Sequence, residues 1–113
     1  MGPFAAGQIV LLRFPFSDLS QSKLRPALLL SSAGRGDWIA CQITSNPYGD
    51  PAAIPLTRDA FLMGDLERVS YIRPAKLFTA NESLFVRGVA TITPQMLEDV
   101  RQAVVAIMRG DGA

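Results

Sequence analysis

Short β-prone apolar runs separated by turn-forming residues fill most of this chain, and a helical period appears only near its end. Residues 8–14 form a first β-prone run, and the segment Pro15-Phe16-Ser17-Asp18-Leu19-Ser20-Gln21-Ser22 after it has the chemistry of a loop. Two further runs, 23–31 and 37–45, flank Ala33-Gly34-Arg35-Gly36, whose glycines supply the positive φ that a tight hairpin turn needs. With the turn centred between Gly34 and Arg35, Ser31 pairs with Trp38, Leu28 with Cys41 and Arg25 with Thr44. Strand alternation then puts Leu28, Leu30, Ile39, Cys41 and Ile43 on one face, an apolar set fit for a core. The other face is mixed, with Arg25, Ala27, Leu29, Ser31, Trp38, Ala40, Gln42 and Thr44. Arg25 and Thr44 meet at its open end, their Cβ atoms roughly 5 Å apart if directly opposed.

Asn46-Pro47-Tyr48-Gly49-Asp50-Pro51 reads as a loop leaving the Thr44 end, so two loops flank the same pair. Residues 53–56 are a short apolar run, and 57–65 are expected to hold a helical turn capped by Thr57 and ended by Gly64. Runs 69–79 and 84–91 read as strands joined by Ala80-Asn81-Glu82-Ser83, with Pro74 and Gly88 marking an edge, bend or bulge. Thr93-Pro94 then opens a helix whose apolar stripe is Leu97, Val100, Val104, Ile107 and Met108, and Gly110 stops it. Five or six short strands followed by one helix predict a small, strongly bent antiparallel barrel or half-barrel.

The 113 residues, 49% of them apolar, fit a single domain spanning 1–113. A net charge of +1 provides no global basic field, so a polyanion would have to be gripped by a local patch. The lone Cys41 has no disulfide partner and falls on the expected core face, which fits a reducing compartment; a cytoplasmic protein is the expectation. No apolar run approaches the ~20 residues of a membrane span. Histidine is absent, which removes His-based acid–base pairs, Ser-His and Cys-His nucleophiles and the usual zinc sites. The ten carboxylates are scattered, without the look of a two-metal site. What remains is the Arg25–Thr44 pair, a guanidinium fork and a hydroxyl that could share one phosphate. A solvated strand-end charge beside an ordinary β-branched residue would fit the same pattern, and a one-residue slip would separate the two.

Gly7-Gln8-Ile9-Val10-Leu11, Phe14-Pro15-Phe16-Ser17-Asp18, residues 23–31 around Arg25-Pro26, Cys41-Gln42-Ile43-Thr44-Ser45 and Tyr71-Ile72-Arg73-Pro74 together resemble the MazF/PemK family of toxin endoribonucleases. The resemblance implies an SH3-like small barrel of the MazF, Kid and CcdB type, mainly β with a C-terminal helix, and a homodimer. It also implies metal-independent, sequence-selective cleavage of single-stranded RNA without cofactors, and a cognate antitoxin with an acidic C-terminal segment. Arg25 falls on the family's catalytic arginine and Thr44 on its catalytic threonine or serine. In the family's reaction a 2′-hydroxyl attacks the adjacent phosphorus and the 5′-oxygen leaves, giving a 2′,3′-cyclic phosphate. Arginine holds its proton in proteins, so an electrostatic role suits Arg25 better than that of a general base.

Phe16, Lys23, Ser45, Asn46 and Arg73 are further candidates for RNA contact, each of them also readable as a plain loop or strand residue. One departure stands out: several relatives carry an aspartate after the dipeptide corresponding to Arg73-Pro74, whereas this chain has Ala75, so either the arginine–threonine pair suffices or the chain is a slow or inactive RNA binder. Two other functions would use the same barrel: a non-catalytic gyrase-type inhibitor, although residues 108–113 lack an aromatic anchor, or a module binding an acidic or Pro-rich peptide.

Overall fold

The computed structural model describes residues 3–13 and 23–111, so Phe16 and the loop around it lie outside the described residues. The chain forms β1 (Gln8–Arg13), β2 (Leu24–Gly34), β3 (Asp37–Thr44), β4 (Ile54–Leu56), β5 (Phe61–Gly64), β6 (Ser70–Asn81), β7 (Phe85–Ile92) and α1 (Pro94–Arg109). The strands make one curled antiparallel sheet in the order β4-β6-β3-β2-β1-β7-β5.

The sheet is buried on both sides at its centre, which explains why residues 27–30 of β2 are all shut off from solvent. Leu28 and Leu30 join Ile9, Cys41, Ile43, Ile72, Ile92 and the helix residue Val100 in one cluster. Ala27 and Leu29 face the opposite way, into a second cluster of Val10, Leu12, Trp38, Ala40 and Ala80 closed off by Phe4, Phe78 and Phe85. Phe4 and Phe85 meet edge to face, ring centroids 5.1 Å apart. The hairpin face expected to be mixed therefore carries a core of its own along its middle. Its polar members cluster towards the ends, among them Arg25 and Thr44.

The hairpin turn is Arg35-Gly36, both at positive φ (57° and 82°), one residue later than the expected centre. Two irregularities in β2, between Leu29 and Ser31 and between Ser32 and Gly34, absorb the offset. Ser31 consequently pairs with Ile39 and Ser32 with Trp38, rather than Ser31 with Trp38, while Leu28 still pairs with Cys41. Ile39, expected in the core, is 38% exposed beyond the bulge. The Leu30 carbonyl at the bulge accepts hydrogen bonds from Arg101 Nε (3.2 Å) and Nη2 (2.8 Å), a tie between α1 and the sheet.

Segment 57–65 differs from the expected helical turn. Only Arg58–Ala60 is helical, as a single 3-10 turn, and Phe61–Gly64 continues as the edge strand β5 beside β7. Thr57 makes no capping bond to the backbone; its hydroxyl donates to the Asp59 carboxylate instead. The terminal helix follows its sequence signals: Thr93 Oγ1 accepts from Met96 N at 3.1 Å, and Gly110 ends the helix at φ 78°. Of the expected stripe, Val100 is buried and Leu97 and Val104 pack partly against the core, whereas Met108 is exposed. No helix among the described residues is long and apolar enough to cross a membrane.

Candidate functional site

Pro26 shapes the open end of the hairpin. Proline has no N–H to donate, and β2–β3 pairing stops at Ala27↔Gln42. The residue before a proline is confined to extended backbone, which keeps Arg25 in β2 and paired on its other side with Leu12. The β2–β3 pairing ends two residues short of Arg25 and Thr44, which therefore flank the open mouth of the hairpin without being a ladder pair. Both side chains line a pocket of about 730 Å³ at this end of the sheet.

The rest of the pocket comes from distant parts of the chain. Ser45 and Tyr48 follow β3, Asp65, Leu66, Glu67 and Arg68 precede β6, and Arg87, Gly88 and Val89 come from β7. β1 brings the last group close, because it pairs with both β2 and β7. Gly88 sits at a β1–β7 irregularity, where an added Cβ would fall 2.1 Å from Gln8 Nε2. Three arginines, Arg25, Arg68 and Arg87, thus share one cavity with Asp65 and Glu67, and none of the five forms an ion pair among the described residues. Arg25 is exposed and makes no side-chain hydrogen bond among them, so its donor fork is free for an anion.

Thr44 is held more closely. Its hydroxyl donates to the Asn46 carbonyl at 3.0 Å and accepts from the Asn46 N–H at 3.1 Å, which leaves one lone pair unused. The Asn46 side-chain oxygen in turn accepts from Tyr48 N at 2.9 Å.

The remaining candidates are placed differently. Lys23 is exposed just before β2 and Asn46 is exposed in the loop; neither lines the pocket, whereas Ser45 does. Arg73 also lies outside it: its Nε donates to Asp50 Oδ2 at 2.9 Å, with side-chain exposures of 17% and 9%. The guanidinium of Arg73 and the N–H of Ala52 hold the Asp50 carboxyl below the usual carboxylate range. In β6 the pairing jumps from Arg73↔Gln42 to Leu77↔Cys41, so Pro74, Ala75 and Lys76 form a wide bulge. An acidic companion for Arg73 is therefore present, supplied by the β3–β4 loop rather than by position 75. Cys41 is buried in the first core cluster, and burial pushes its thiol up to about 12, which makes it a packing residue. No group of three or more potential metal-ligating side chains gathers among the described residues.

Sequence reasoning missed Tyr48, Asp65, Glu67, Arg68 and Arg87. The run Asp65-Leu66-Glu67-Arg68 after Gly64 was a visible local signal, being charge-dense beside a turn former. Arg87 had none, because β1–β7 pairing joins the two ends of the chain.

Fold and site together define a small curled β-sheet protein with an arginine- and hydroxyl-lined cavity at one end. The profile of the PemK-like, MazF-like toxins of type II toxin–antitoxin systems matches residues 5–108, and the chain belongs to that family. No curated protein matches it in sequence. Among solved structures, MazF from Deinococcus radiodurans is similar at 25% identity over 91% of this chain and 94% of that one, with a TM-score of 0.70. A MazE–MazF structure from the same organism matches at 25% identity, TM-score 0.72, over 91% of this chain and 93% of that chain. The Mycobacterium tuberculosis toxin MazF-mt6, at 17% identity and TM-score 0.68 over 90% of this chain and 96% of that one, shares the fold.

Proposed function

We propose that this toxin is an endoribonuclease that cuts single-stranded RNA by attack of a 2′-hydroxyl on the adjacent phosphodiester, without a metal ion. One observation carries the reading: Arg25, an unengaged guanidinium, and Thr44, an oriented hydroxyl, line the same open cavity. Arg25 holds the non-bridging oxygens and stabilises charge growing on the pentacovalent phosphorus, and Thr44 fixes the same group or the attacking hydroxyl. The 2′-oxygen forms a bond to phosphorus, the bond to the 5′-oxygen breaks, and the products are a 2′,3′-cyclic phosphate and a 5′-hydroxyl. The proton lost by the 2′-hydroxyl passes to a cavity carboxylate, Asp65 or Glu67, the departing 5′-oxygen takes a proton from solvent water, and the carboxylate then returns its own to solvent.

Arg68 and Arg87 hold flanking phosphates, and Lys23, Ser45 and Asn46 extend the contact surface. Arg73 acts on the substrate indirectly, through the Asp50 bond that fixes the β3–β4 loop. Phe16, outside the described residues, contributes a base contact. The toxin works as a homodimer. A cognate antitoxin inhibits it by laying an acidic C-terminal segment over the arginines; the MazE–MazF structure from Deinococcus radiodurans at 25% identity supports the antitoxin as a partner.

The chemistry is tested with an RNA oligonucleotide in EDTA and its twin carrying a single 2′-deoxy substitution at the cut. Cleavage of the first to a cyclic phosphate, seen by mass spectrometry, and none of the second is the expected result. Equal cleavage of both rules out 2′-hydroxyl attack.

A further inference from the structure

We propose that Tyr48 is a stacking platform for the nucleobase next to the scissile phosphate, an inference that rests on the RNA-cleaving reading above. Among the described residues, Tyr48 is the only aromatic side chain lining the cavity, and it is 75% exposed. Its backbone is equally unusual. Asp50 N donates to Pro47 O at 2.9 Å, closing a turn whose central residues, Tyr48 and Gly49, both have positive φ, 53° and 73°.

Turns of that kind favour Asn, Asp or Gly at the first central position, because a Cβ is disfavoured in left-handed backbone. A tyrosine there stabilises neither the turn nor the core. What it does is hold a broad aromatic face at the cavity edge, and strained backbone of this sort gathers where ligands are held.

Hydrogen bonds brace the backbone of the turn that carries the ring. Asn46 Oδ1 accepts from Tyr48 N, Asp50 Oδ1 accepts from Ala52 N at 2.9 Å, and Asp50 Oδ2 accepts from Arg73 Nε. Asn46 also holds the Thr44 hydroxyl through its backbone, so Thr44 and Tyr48 belong to one hydrogen-bonded segment. A phosphate bound between Arg25 and Thr44 therefore has its neighbouring base presented to the ring. Every base has a π-face, so Tyr48 supplies affinity and alignment and leaves the choice of sequence to other groups.

The probe is a single-stranded, uniformly 2′-fluoro RNA, which lacks the nucleophile and stays intact, titrated by fluorescence anisotropy. Tyr48→Gly removes the ring and leaves a residue suited to the positive φ, while Tyr48→Phe keeps the ring. Tyr48→Gly is expected to weaken binding about 5- to 150-fold, the range for loss of one base–aromatic stack, and Tyr48→Phe to bind close to wild type. A set of oligonucleotides made abasic at each position in turn should contain one that wild type and Tyr48→Gly bind equally. Tight binding of intact RNA by Tyr48→Gly overturns the inference, as does a loss that no abasic position removes. Arg25→Ala cleavage rates separate the two failures. Dependence on Arg25 with no Tyr48 effect sinks the stacking alone, whereas wild-type protein that binds no RNA sinks the nuclease reading and the stacking with it.

Discussion

Thr44 and Arg25 are prepared in opposite ways. Arg25 waits without an internal partner among the described residues, while the Thr44 hydroxyl is already committed, its proton on the Asn46 carbonyl. Bound phosphate meets the free lone pair of Thr44 unless the hydroxyl turns over, and turning exchanges one hydrogen bond for another at little net cost. Thr44→Ser should therefore retain most activity. Thr44→Val, which keeps the shape and loses both bonds, should lower kcat/KM by about 10- to 100-fold, measured on a fluorogenic RNA. The Asp50–Arg73 pair makes a different prediction. Because the native carboxyl titrates below its unfolded value, the pair stabilises the fold above the ordinary carboxylate range. That contribution is lost as pH falls through that range to the lowered native value. Thermal denaturation of Asp50→Asn should show a shallower decline on acidification than wild type. At neutral pH the variant should be less stable by about 1 to 2 kcal/mol, a modest value because Arg73 remains partly solvated. That Arg25 and Thr44 border one cavity was legible in the sequence because strand parity within a hairpin is local. The partner of Arg73 was not, since a wide bulge in β6 and a loop between β3 and β4 bring Asp50 to it.

Bulges decide how the strands reach the site. The two irregularities of β2 cancel the shift of the turn, so a misplaced turn and a correct Leu28↔Cys41 pairing coexist in one hairpin. Within the hairpin, Ile39 alone departs from its expected burial, lying exposed beyond the bulge while Trp38 and Ala40 keep to their face, and Pro26 keeps the far end open as its chemistry requires. The bounds of the helix were legible, because cap, proline and glycine signals lie at its own ends, although Met108 of the expected stripe is exposed. The β5 strand was not, because Thr57 and Gly64 carry helix-boundary chemistry although the edge of β7 claims the residues between them. Gly64 itself has a demanding place, with φ 73° and an added Cβ 2.4 Å from Val89 O and 2.8 Å from Ala90 Cα. Both neighbours are backbone and cannot yield as a side-chain tip would. Gly64→Ala should destabilise by about 2 to 4 kcal/mol in urea denaturation, combining left-handed strain with overpacking. It should also disturb the cavity wall that begins at Asp65.

A chain with net charge +1 gathers three arginines at one end, so the proposed affinity for RNA must be local. If Arg25, Arg68 and Arg87 each neutralise a phosphate, log affinity should fall with log salt at a slope near −2, from about −0.7 per contact on a single strand. Arg87→Ala should flatten that slope by about 0.7 in titrations between 50 and 200 mM salt. The curled sheet and its terminal helix were legible as a class, since alternation and a closing helix leave few other architectures. The membership of the cavity was legible only in part, because it is assembled by β1 joining both ends of the chain. The central claim is that one guanidinium at the hairpin mouth neutralises the scissile phosphate, and initial cleavage rates of wild type and Arg25→Ala on one fluorogenic single-stranded RNA in EDTA test it directly. With both proteins folded by circular dichroism, the variant should be slower by about 10²- to 10³-fold. Equal rates would contradict the account.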